Sequence, residues 1–264
     1  GNLDFSANEE ELVAELRKAF SFLPANNEDE AYNEEIEDNL NRAVDGFFAM
    51  PAREALTALS DEGVIFEVRR AYGEGAITAF LRLNGQTVGG IATTGEALHW
   101  KAVAKMNRFL RFCNTFSIPV LTLCDTPGFE NCTCNEMHMA KEMGEFLSAY
   151  GNASVPLVTL IKKAVGSAGA CLGSKGLGAD LVFAYPESEI SVMDAKLAAN
   201  ILYPEESLDV REEKAKLFLE EKGSATSAAY RGYIDAIILP EETRQRVISA
   251  FDMLYGKANF DFHK

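Results

Sequence analysis

A glycine-rich turn that leads into a helical segment is the stretch of this sequence best suited to chemistry. It consists of Gly166, Ser167, Ala168, Gly169 and Ala170. At the start of a helix the backbone N–H groups lack partners within the helix, and small residues let a ligand approach them closely. Such a turn binds an anion or holds the oxygen of a polarised carbonyl. Tight packing of a helix against a strand is the alternative interpretation of the same residues.

Other chemistries at this turn have less support. The spacing does not match the GxxxxGKS or GxxxxGKT phosphate loop. Ser167 could act as a nucleophile, but the histidines of the chain, at positions 99, 138 and 263, are all distant from it in sequence. A serine triad is therefore weakly supported. Lys162 and Lys163 precede the turn and could meet a phosphate or carboxylate, although such a pair is more often solvated.

Cys132, Cys134 and His138 form a second group of residues that could do chemistry. Thiolate sulfur and imidazole nitrogen are ligands that zinc prefers. The group falls short of a closed structural site because no second pair of ligands accompanies it, so we favour thiols that cap a loop. Asp125, Asp180 and Asp194 lie at predicted strand ends or helix starts, where capping explains an aspartate without a catalytic role.

The elements around the turn have the pattern of a parallel sheet. Three continuous apolar runs, at 118–124, 155–161 and 179–184, suit strands covered on both faces. A helical segment at 96–116 leads into the first run, and another at 136–150 separates the first run from the second. Parallel strands joined by right-handed crossovers are therefore the predicted topology.

An antiparallel hairpin and flanking helices complete the predicted architecture. Asn84-Gly85 joins apolar runs at 77–83 and 87–92, which is a strong hairpin signal. Further helices are predicted at 9–22, 41–50, 52–59, 194–202, 207–222, 225–230 and 241–255, with short strands at 190–193 and 234–239. Residues 64–68 suit a strand or a helix end. We divide the chain into a helical arm with a linker, residues 1–60, and a main domain, residues 61–264.

Composition and charge exclude several functions. The formal net charge is −15 and the pI is near 4.7, so a nucleic acid or an anionic membrane would be repelled. The longest apolar runs are about seven residues, against ~20 for a membrane-spanning helix. Five cysteines without an export signal indicate reduced thiols. We expect a cytoplasmic protein with no membrane insertion.

Four segments carry a resemblance to a known family. They read IPVLTLCDTPGF, SVPLVTLIKKAVGSAGACLGSK, GADLVFAYPESEISVMDAKLAANIL and AAYRGYIDAIILPEETRQRV. Together they resemble the carboxyltransferase subunit of biotin-dependent acyl-CoA carboxylases and decarboxylases, of the propionyl-CoA carboxylase beta and methylmalonyl-CoA decarboxylase alpha type. Single-chain members of that family have two related halves, and this sequence is similar to the second, C-terminal half.

The resemblance implies an α/β, crotonase-like (ClpP/crotonase) fold of stacked ββα units with flanking C-terminal helices. It also implies carboxyl transfer between carboxybiotin and a short acyl-CoA, with the backbone N–H groups of Ser167 and Ala168 as an oxyanion hole for the biotin oxygen. The Gly128-Phe129 loop would form a nearby wall. The implied cofactors are biotin, carried by a biotin carboxyl carrier protein, and a coenzyme A thioester as substrate, without a metal. The implied partner is a CoA-binding carboxyltransferase half or subunit.

The chain departs from the family pattern at the turn. Where relatives usually read Lys-Ala-Tyr-Gly-Gly-Ala-Tyr, residues 163–169 read Lys-Ala-Val-Gly-Ser-Ala-Gly. The pocket is expected to be wider, and Ser167 to hinder the approach that glycine allows. Ala170 occupies a position that the resemblance associates with choice of the acyl group, and it supplies neither charge nor bulk. A standalone crotonase-type CoA-thioester hydratase or hydrolase and a non-catalytic assembly subunit are the alternative functions.

The C-terminal helices carry more apolar residues than one sheet edge would cover, which suggests a homo-oligomer. The alternative is that these residues complete the core of the monomer. The residues are Ile201, Leu202, Leu217, Phe218, Tyr230, Tyr233, Ile237, Ile238, Val247, Phe251 and Leu254.

Overall fold

A mixed sheet is the centre of the computed structural model, which describes residues 8–9, 11–29 and 33–257. Within these residues the sheet has seven strands, and their spatial order follows the chain. The strands are β1 Ile65–Val68, β2 Ala76–Leu83, β3 Gln86–Thr93, β4 Val120–Thr126, β5 Leu157–Val165, β6 Leu181–Ser191 and β7 Ala236–Ile237. β1, β2 and β3 are antiparallel neighbours, whereas each strand from β3 to β7 runs parallel to the next.

The predicted hairpin and parallel strands are confirmed. Asn84 and Gly85 both have positive φ, 54° and 76°, which is the backbone that a two-residue type I′ turn requires. Leu83 pairs with Gln86 across that turn. Residues 65–68, which the sequence left undecided, form the edge strand β1.

Helices cover both faces of the sheet. They are α1 Leu12–Ser21, α2 Ala52–Leu59, α3 Trp100–Thr115, α4 Thr133–Gly151, α5 Gly166–Cys171, α6 Ala195–Leu202, α7 Leu208–Phe218, α8 Ala225–Tyr230 and α9 Thr243–Leu254. Side chains of α3, α4 and α8 share one buried cluster with one face of the sheet. Those of α2 and α9 share a second cluster with the other face. Within the described residues, none of the helices has the length and apolar character that crossing a membrane requires.

Several predicted bounds were wrong for identifiable reasons. Residues 41–50 form only a short 3₁₀ turn, Phe47–Ala49, which begins after Gly46 in a left-handed conformation. Helix α3 begins at Trp100 rather than near residue 96, because His99 has an extended backbone and caps the helix with its side chain. The predicted strands at 179–184 and 190–193 are one strand, β6. Its pairing with β5 jumps from Ala184 to Glu189, and the interruption accommodates Pro186, which has no N–H to donate.

The apolar residues of the C-terminal helices divide into two groups. Val247, Phe251 and Ile238 are buried in the second cluster, so they complete the core of the monomer rather than a free surface. Ile201, Leu202, Leu217, Tyr230, Tyr233 and Ile237 are exposed. A surface available for association is therefore present on α6, α7 and α8, but Phe251 does not belong to it.

The division at residue 60 stays a prediction. Helix α1 buries none of its residues within the described part of the chain. Helix α2, by contrast, contributes Ala55, Leu56 and Leu59 to the same cluster as β2 and β3. The segment before residue 60 thus contributes directly to the core of the sheet.

Candidate functional site

The glycine-rich turn and the Gly128-Phe129 loop leave the sheet side by side. Thr126 at the end of β4 is paired with Ala164 near the end of β5. Gly128 and Gly166 each follow two residues later. Because β4 and β5 are parallel, their carboxyl ends lie at the same edge, which is where α/β sheets commonly bind ligands. The fold therefore places the two predicted parts of the site on neighbouring strands.

The backbone conformation at the turn directs N–H groups toward a common point where a ligand could bind. Gly166 has a φ of 66°, and α5 continues from it in helical conformation. A left-handed residue next to right-handed residues directs successive N–H groups toward one point, a concavity that binds anions. Val165, the residue before α5, provides no side-chain cap. Ser167 is exposed and Ala168 is buried, so the first turn of the helix has one accessible side.

Gly169 and Gly166 have different structural roles. A Cβ on Gly169 would lie 2.3 Å from the carbonyl carbon of Ala164 and 2.7 Å from its Cα, closer than atoms can approach. Tight packing of the helix against β5 therefore requires glycine here. A Cβ on Gly166 would meet only Val192 O at 3.8 Å, and one on Gly128 would meet nothing within 4 Å. A side chain at either of these two glycines would therefore occupy space that is open in the structure.

Hydrogen bonds hold the Gly128-Phe129 loop in place. The Gly128 N–H donates to Thr126 Oγ1 at 3.3 Å, and Gly128 O accepts from the Leu98 N–H at 2.9 Å. The Glu130 N–H donates to Leu98 O at 3.0 Å. Gly128 has a φ of 138°, a conformation in which glycine is favoured. The loop is thus tied to the residues just before α3.

The two lysines before the turn have different environments, and only Lys163 meets a carboxylate. Lys162 is buried, donates from Nζ to Met50 O at 2.7 Å, and lies 5.2 Å from the centre of the Phe47 ring. Burial lowers its pKa, and the carboxylate of Asp125 partly opposes that shift. Lys163 forms a 3.0 Å ion pair with Glu189 of β6. Among the described contacts, both cations are already occupied by protein groups.

Asp125 is a half-buried residue whose carboxyl group the sequence analysis assigned to capping. It lies within β4, and its backbone N–H donates to Thr93 Oγ1 at 2.7 Å. Burial raises the pKa of its carboxyl group, against the opposing charges of Lys162 and Lys163. Its position in a strand could not be recognised from the Asp-Thr-Pro-Gly motif, which is typical of a turn. The capping prediction is correct for Asp194, which accepts from the Lys196 and Leu197 N–H groups at the start of α6.

The predicted cysteine and histidine group is rearranged by the fold. Cys134 Sγ accepts a hydrogen bond from Trp100 Nε1 at 3.1 Å, and the His138 ring lies 4.7 Å from the Trp100 ring. Cys132 instead lies near His99 and Glu130, with the possible ligand atoms of all three within 4.8 Å of one another. Sequence spacing could not reveal this group, because His99 and Cys132 precede different helices.

Comparison with known proteins identifies the class to which this fold and turn belong. A crystal structure of transcarboxylase 12S, with hydrolysed methylmalonyl-coenzyme A bound, superimposes with a TM-score of 0.92 and 31% identity over 100% of this chain and 55% of that one. The fold is the crotonase-like α/β fold of the carboxyltransferases. The family model described as the carboxyl transferase domain matches residues 1–264. The chain belongs to the carboxyl transferase domain family.

Curated relatives agree with this assignment. Methylmalonyl-CoA decarboxylase subunit alpha of Veillonella parvula is 35% identical over 95% of this chain and 52% of its own length. The propionyl-CoA carboxylase beta chain of Cereibacter sphaeroides is 37% identical over 95% of this chain and 52% of its own length. The chain thus spans about half the length of these relatives, as the resemblance noted in the sequence implies.

Proposed function

We propose that this chain is the biotin-binding half of an acyl-CoA carboxyltransferase, transferring a carboxyl group between carboxybiotin and a short acyl-CoA. The observation that carries the proposal is the open, left-handed Gly166 turn at the carboxyl end of β5, next to the equally open Gly128. A ring system with a polarised oxygen fits the open space at these two positions, because glycine has no side chain to occupy it. Family membership of residues 1–264 supports the same reaction.

The chemistry assigned to this chain is backbone electrostatics. Biotin, attached to a carrier protein, supplies the carboxyl group that is transferred. The N–H groups of Ser167 and Ala168 donate to its ureido oxygen, where negative charge builds as the carboxyl group leaves. Two such preorganised donors contribute about 3–4 kcal/mol each in other oxyanion holes. Phe129 and Gly128 form the neighbouring wall, and Gly166 and Ala170 add little bulk along the approach. Gly169 allows α5 to pack against β5 and so holds the turn in place.

The remaining components of the reaction lie outside this chain. The proposal includes a separate CoA-binding half or subunit and a biotin carboxyl carrier protein, and it places the protein in the cytoplasm. Transcarboxylase 12S is described as a hexamer assembly, which supports an oligomer here as well. Exposed Ile201, Leu202 and Tyr230 provide an apolar surface for it. Light scattering at micromolar concentration tests this part, because a single species near 28.9 kDa would contradict association.

The proposal is tested by reconstitution with a matched pair of glycine variants. The full chain is mixed with a candidate CoA-binding half, biotinylated carrier and short acyl-CoAs, and carboxyl transfer is measured. Gly166→Ala and Gly46→Ala both place a Cβ at φ near +66° in open space, so both incur similar backbone strain. We expect only Gly166→Ala to lower the rate of carboxyl transfer by about tenfold or more, because only its Cβ enters the proposed binding site.

Four outcomes separate this function from its alternatives. Absence of transfer by the unaltered chain with every acyl-CoA would contradict the enzymatic proposal. Equal activity of the Gly166 and Gly46 variants would leave a carboxyltransferase whose site is not this turn. Calorimetry discriminates the rest: binding of CoA thioesters by the isolated chain favours a crotonase-type hydratase, and binding of neither thioester nor biotin favours an assembly subunit.

A further inference from the structure

Three side chains with different donor atoms meet beside the loop that follows β4. His99, Glu130 and Cys132 offer a nitrogen, an oxygen and a sulfur, all within 4.8 Å of one another. His99 and Cys132 are half-buried, whereas Glu130 is exposed. They come from two segments of chain that only the fold brings together. The carboxyl transfer assigned above uses none of the three.

The backbone around these side chains is fixed by a buried amide. Asn135 is 2% exposed, and its Oδ1 accepts from the Trp100 N–H at 2.7 Å. Its Nδ2 donates to Leu98 O at 3.1 Å and to Glu130 O at 2.8 Å. One side chain therefore links the residues on either side of His99 to Glu130. The fold therefore holds together the backbone segments that carry the three donor groups.

The chemistry of the donor set points to one ion. Tetrahedral zinc binds imidazole, thiolate and carboxylate at about 2.0–2.3 Å, which puts ligand atoms roughly 3.3–3.7 Å apart. The three possible ligand atoms lie within 4.8 Å of one another, so binding requires them to move closer together. Mixed nitrogen, sulfur and oxygen donors do not suit magnesium or calcium, which take oxygen ligands. Three protein ligands leave a fourth position for water.

We propose that His99, Glu130 and Cys132 form a zinc site. On binding, the Cys132 thiol releases its proton to solvent and the thiolate coordinates the ion. The sequence-based expectation of no metal rested on Cys132, Cys134 and His138. Of these, Cys134 accepts a hydrogen bond from the Trp100 indole and His138 packs against the same ring.

The proposed ion would connect the start of α3 to the Gly128-Phe129 loop. Glu130 directly follows Phe129, and a bridge pairs Phe129 with Leu98, next to His99. Zinc at this point joins the two segments with metal–ligand bonds in addition to their hydrogen bonds. Its role is to fix the loop, so the site is independent of whether the chain transfers carboxyl groups.

Binding can be measured through the single tryptophan of the chain. Trp100 follows His99, and the two rings are 5.7 Å apart. Cobalt(II) replaces zinc in such sites and quenches nearby tryptophan fluorescence, while a cobalt–thiolate absorption band reports the cysteine directly. We expect saturable 1:1 quenching of the full chain after treatment with chelator and reducing agent, reversal by excess zinc, and a higher Tm with zinc.

Matched variants identify the ligands. Cys132→Ser, His99→Gln and Glu130→Gln are expected to weaken cobalt binding by about tenfold or more, a loss that even outer-shell partners produce. Cys134→Ser and Glu136→Gln, neighbours with the same chemistry, are expected to bind like the unaltered chain. Circular dichroism confirms that each variant is folded, and Glu130→Gln alters an exposed side chain that folding does not require.

Several results would contradict the proposed zinc site. These are absence of saturable binding to the unaltered chain, binding that survives Cys132→Ser together with its thiolate band, and binding lost equally in Cys134→Ser. The last result would show that the loss of binding is not specific to Cys132. None of these outcomes bears on the carboxyl-transfer assay, so failure of the zinc site and failure of the proposed function are distinguishable.

Discussion

Ser167 lies where the family resemblance described for the sequence leads us to expect glycine. It is exposed in the first turn of α5, immediately before buried Ala168. Its N–H is one of the two proposed donors, and its side chain begins at the mouth of the same concavity. A glycine in its place would leave the donor unchanged and remove the side chain. Access to the turn and the presence of the donor can therefore be separated experimentally.

Ser167→Gly is predicted to raise the carboxyl-transfer rate by at least about threefold, because a ligand can then approach the N–H pair without the seryl side chain. The same change should lower the free energy of unfolding by up to about 1 kcal/mol, the usual difference for glycine within a helix. Transfer assays and urea denaturation measure the two effects.

Ser148→Gly is the control for this change. Ser148 is also an exposed serine in a helix, α4, and lies outside the proposed site. It should share the loss of stability without the gain in rate. A rate for Ser167→Gly no higher than that of Ser148→Gly would show that the seryl side chain does not restrict the site.

At the scale of elements, the junction of β5 and α5 depends on a close backbone approach. Gly169 lies against the backbone of Ala164, which belongs to the strand that α5 follows. The helix is only six residues long, so its position is determined by this packing rather than by its own hydrogen bonds. The direction of the N–H groups at Ser167 and Ala168 depends on the same contact.

Gly169→Ala is predicted to destabilise the protein by about 1–3 kcal/mol, since a methyl group would overlap the Ala164 backbone and force α5 away from β5. Gly144→Ala is expected to change the free energy of unfolding in the opposite direction. Gly144 lies in α4 with nothing within 4 Å of the position that a methyl group would take, and alanine there should stabilise by about 0.4–1 kcal/mol. Urea denaturation of both variants checks the prediction, and a Gly169 variant as stable as the original chain would contradict it.

The sequence predicted elements whose signals are local and missed features that depend on distant contacts. Asn84-Gly85 specified a turn, and continuous apolar runs specified buried parallel strands. The helix predicted at 41–50 failed because its apolar residues pack individually into the core instead of along one helical face. The burial of Lys162 could not be foreseen, since Met50, its partner, is distant in sequence.

The same distinction applies to the site. The turn at 166–170 and the loop at Gly128 could be recognised because each is a short motif, and parallel strands place such motifs at one edge. His99 lies near Cys132 because contacts between two separate segments, those of Asn135 among them, bring the residues together. Spacing along the sequence instead pairs Cys132 with Cys134 and His138 as possible metal ligands.

At the scale of the whole molecule, one buried cation links the last helix to the first third of the chain. Arg244 of α9 is 0% exposed. Its guanidinium donates to Leu59 O at 3.2 Å, to Asn39 O at 2.7 Å and to the carboxylate of Asp61. Asp61 in turn accepts from the Gly85 N–H at 2.8 Å in the hairpin of β2 and β3. The linker, α2, the hairpin and α9 therefore share one charge network.

Arg244→Met is predicted to lower the free energy of unfolding by about 3–5 kcal/mol at pH 7, because it leaves Asp61, 3% exposed, as a buried charge without its cation. Arg246→Met is the matched control. Arg246 lies two residues along the same helix, is exposed, and pairs with Glu242 one turn away, a contact that contributes roughly 0.5 kcal/mol or less. Denaturant unfolding of the two variants should differ by more than about 2 kcal/mol. A smaller difference would mean that Asp61 finds compensation in the hairpin N–H groups alone, and that the N-terminal segment does not depend on α9 for its attachment.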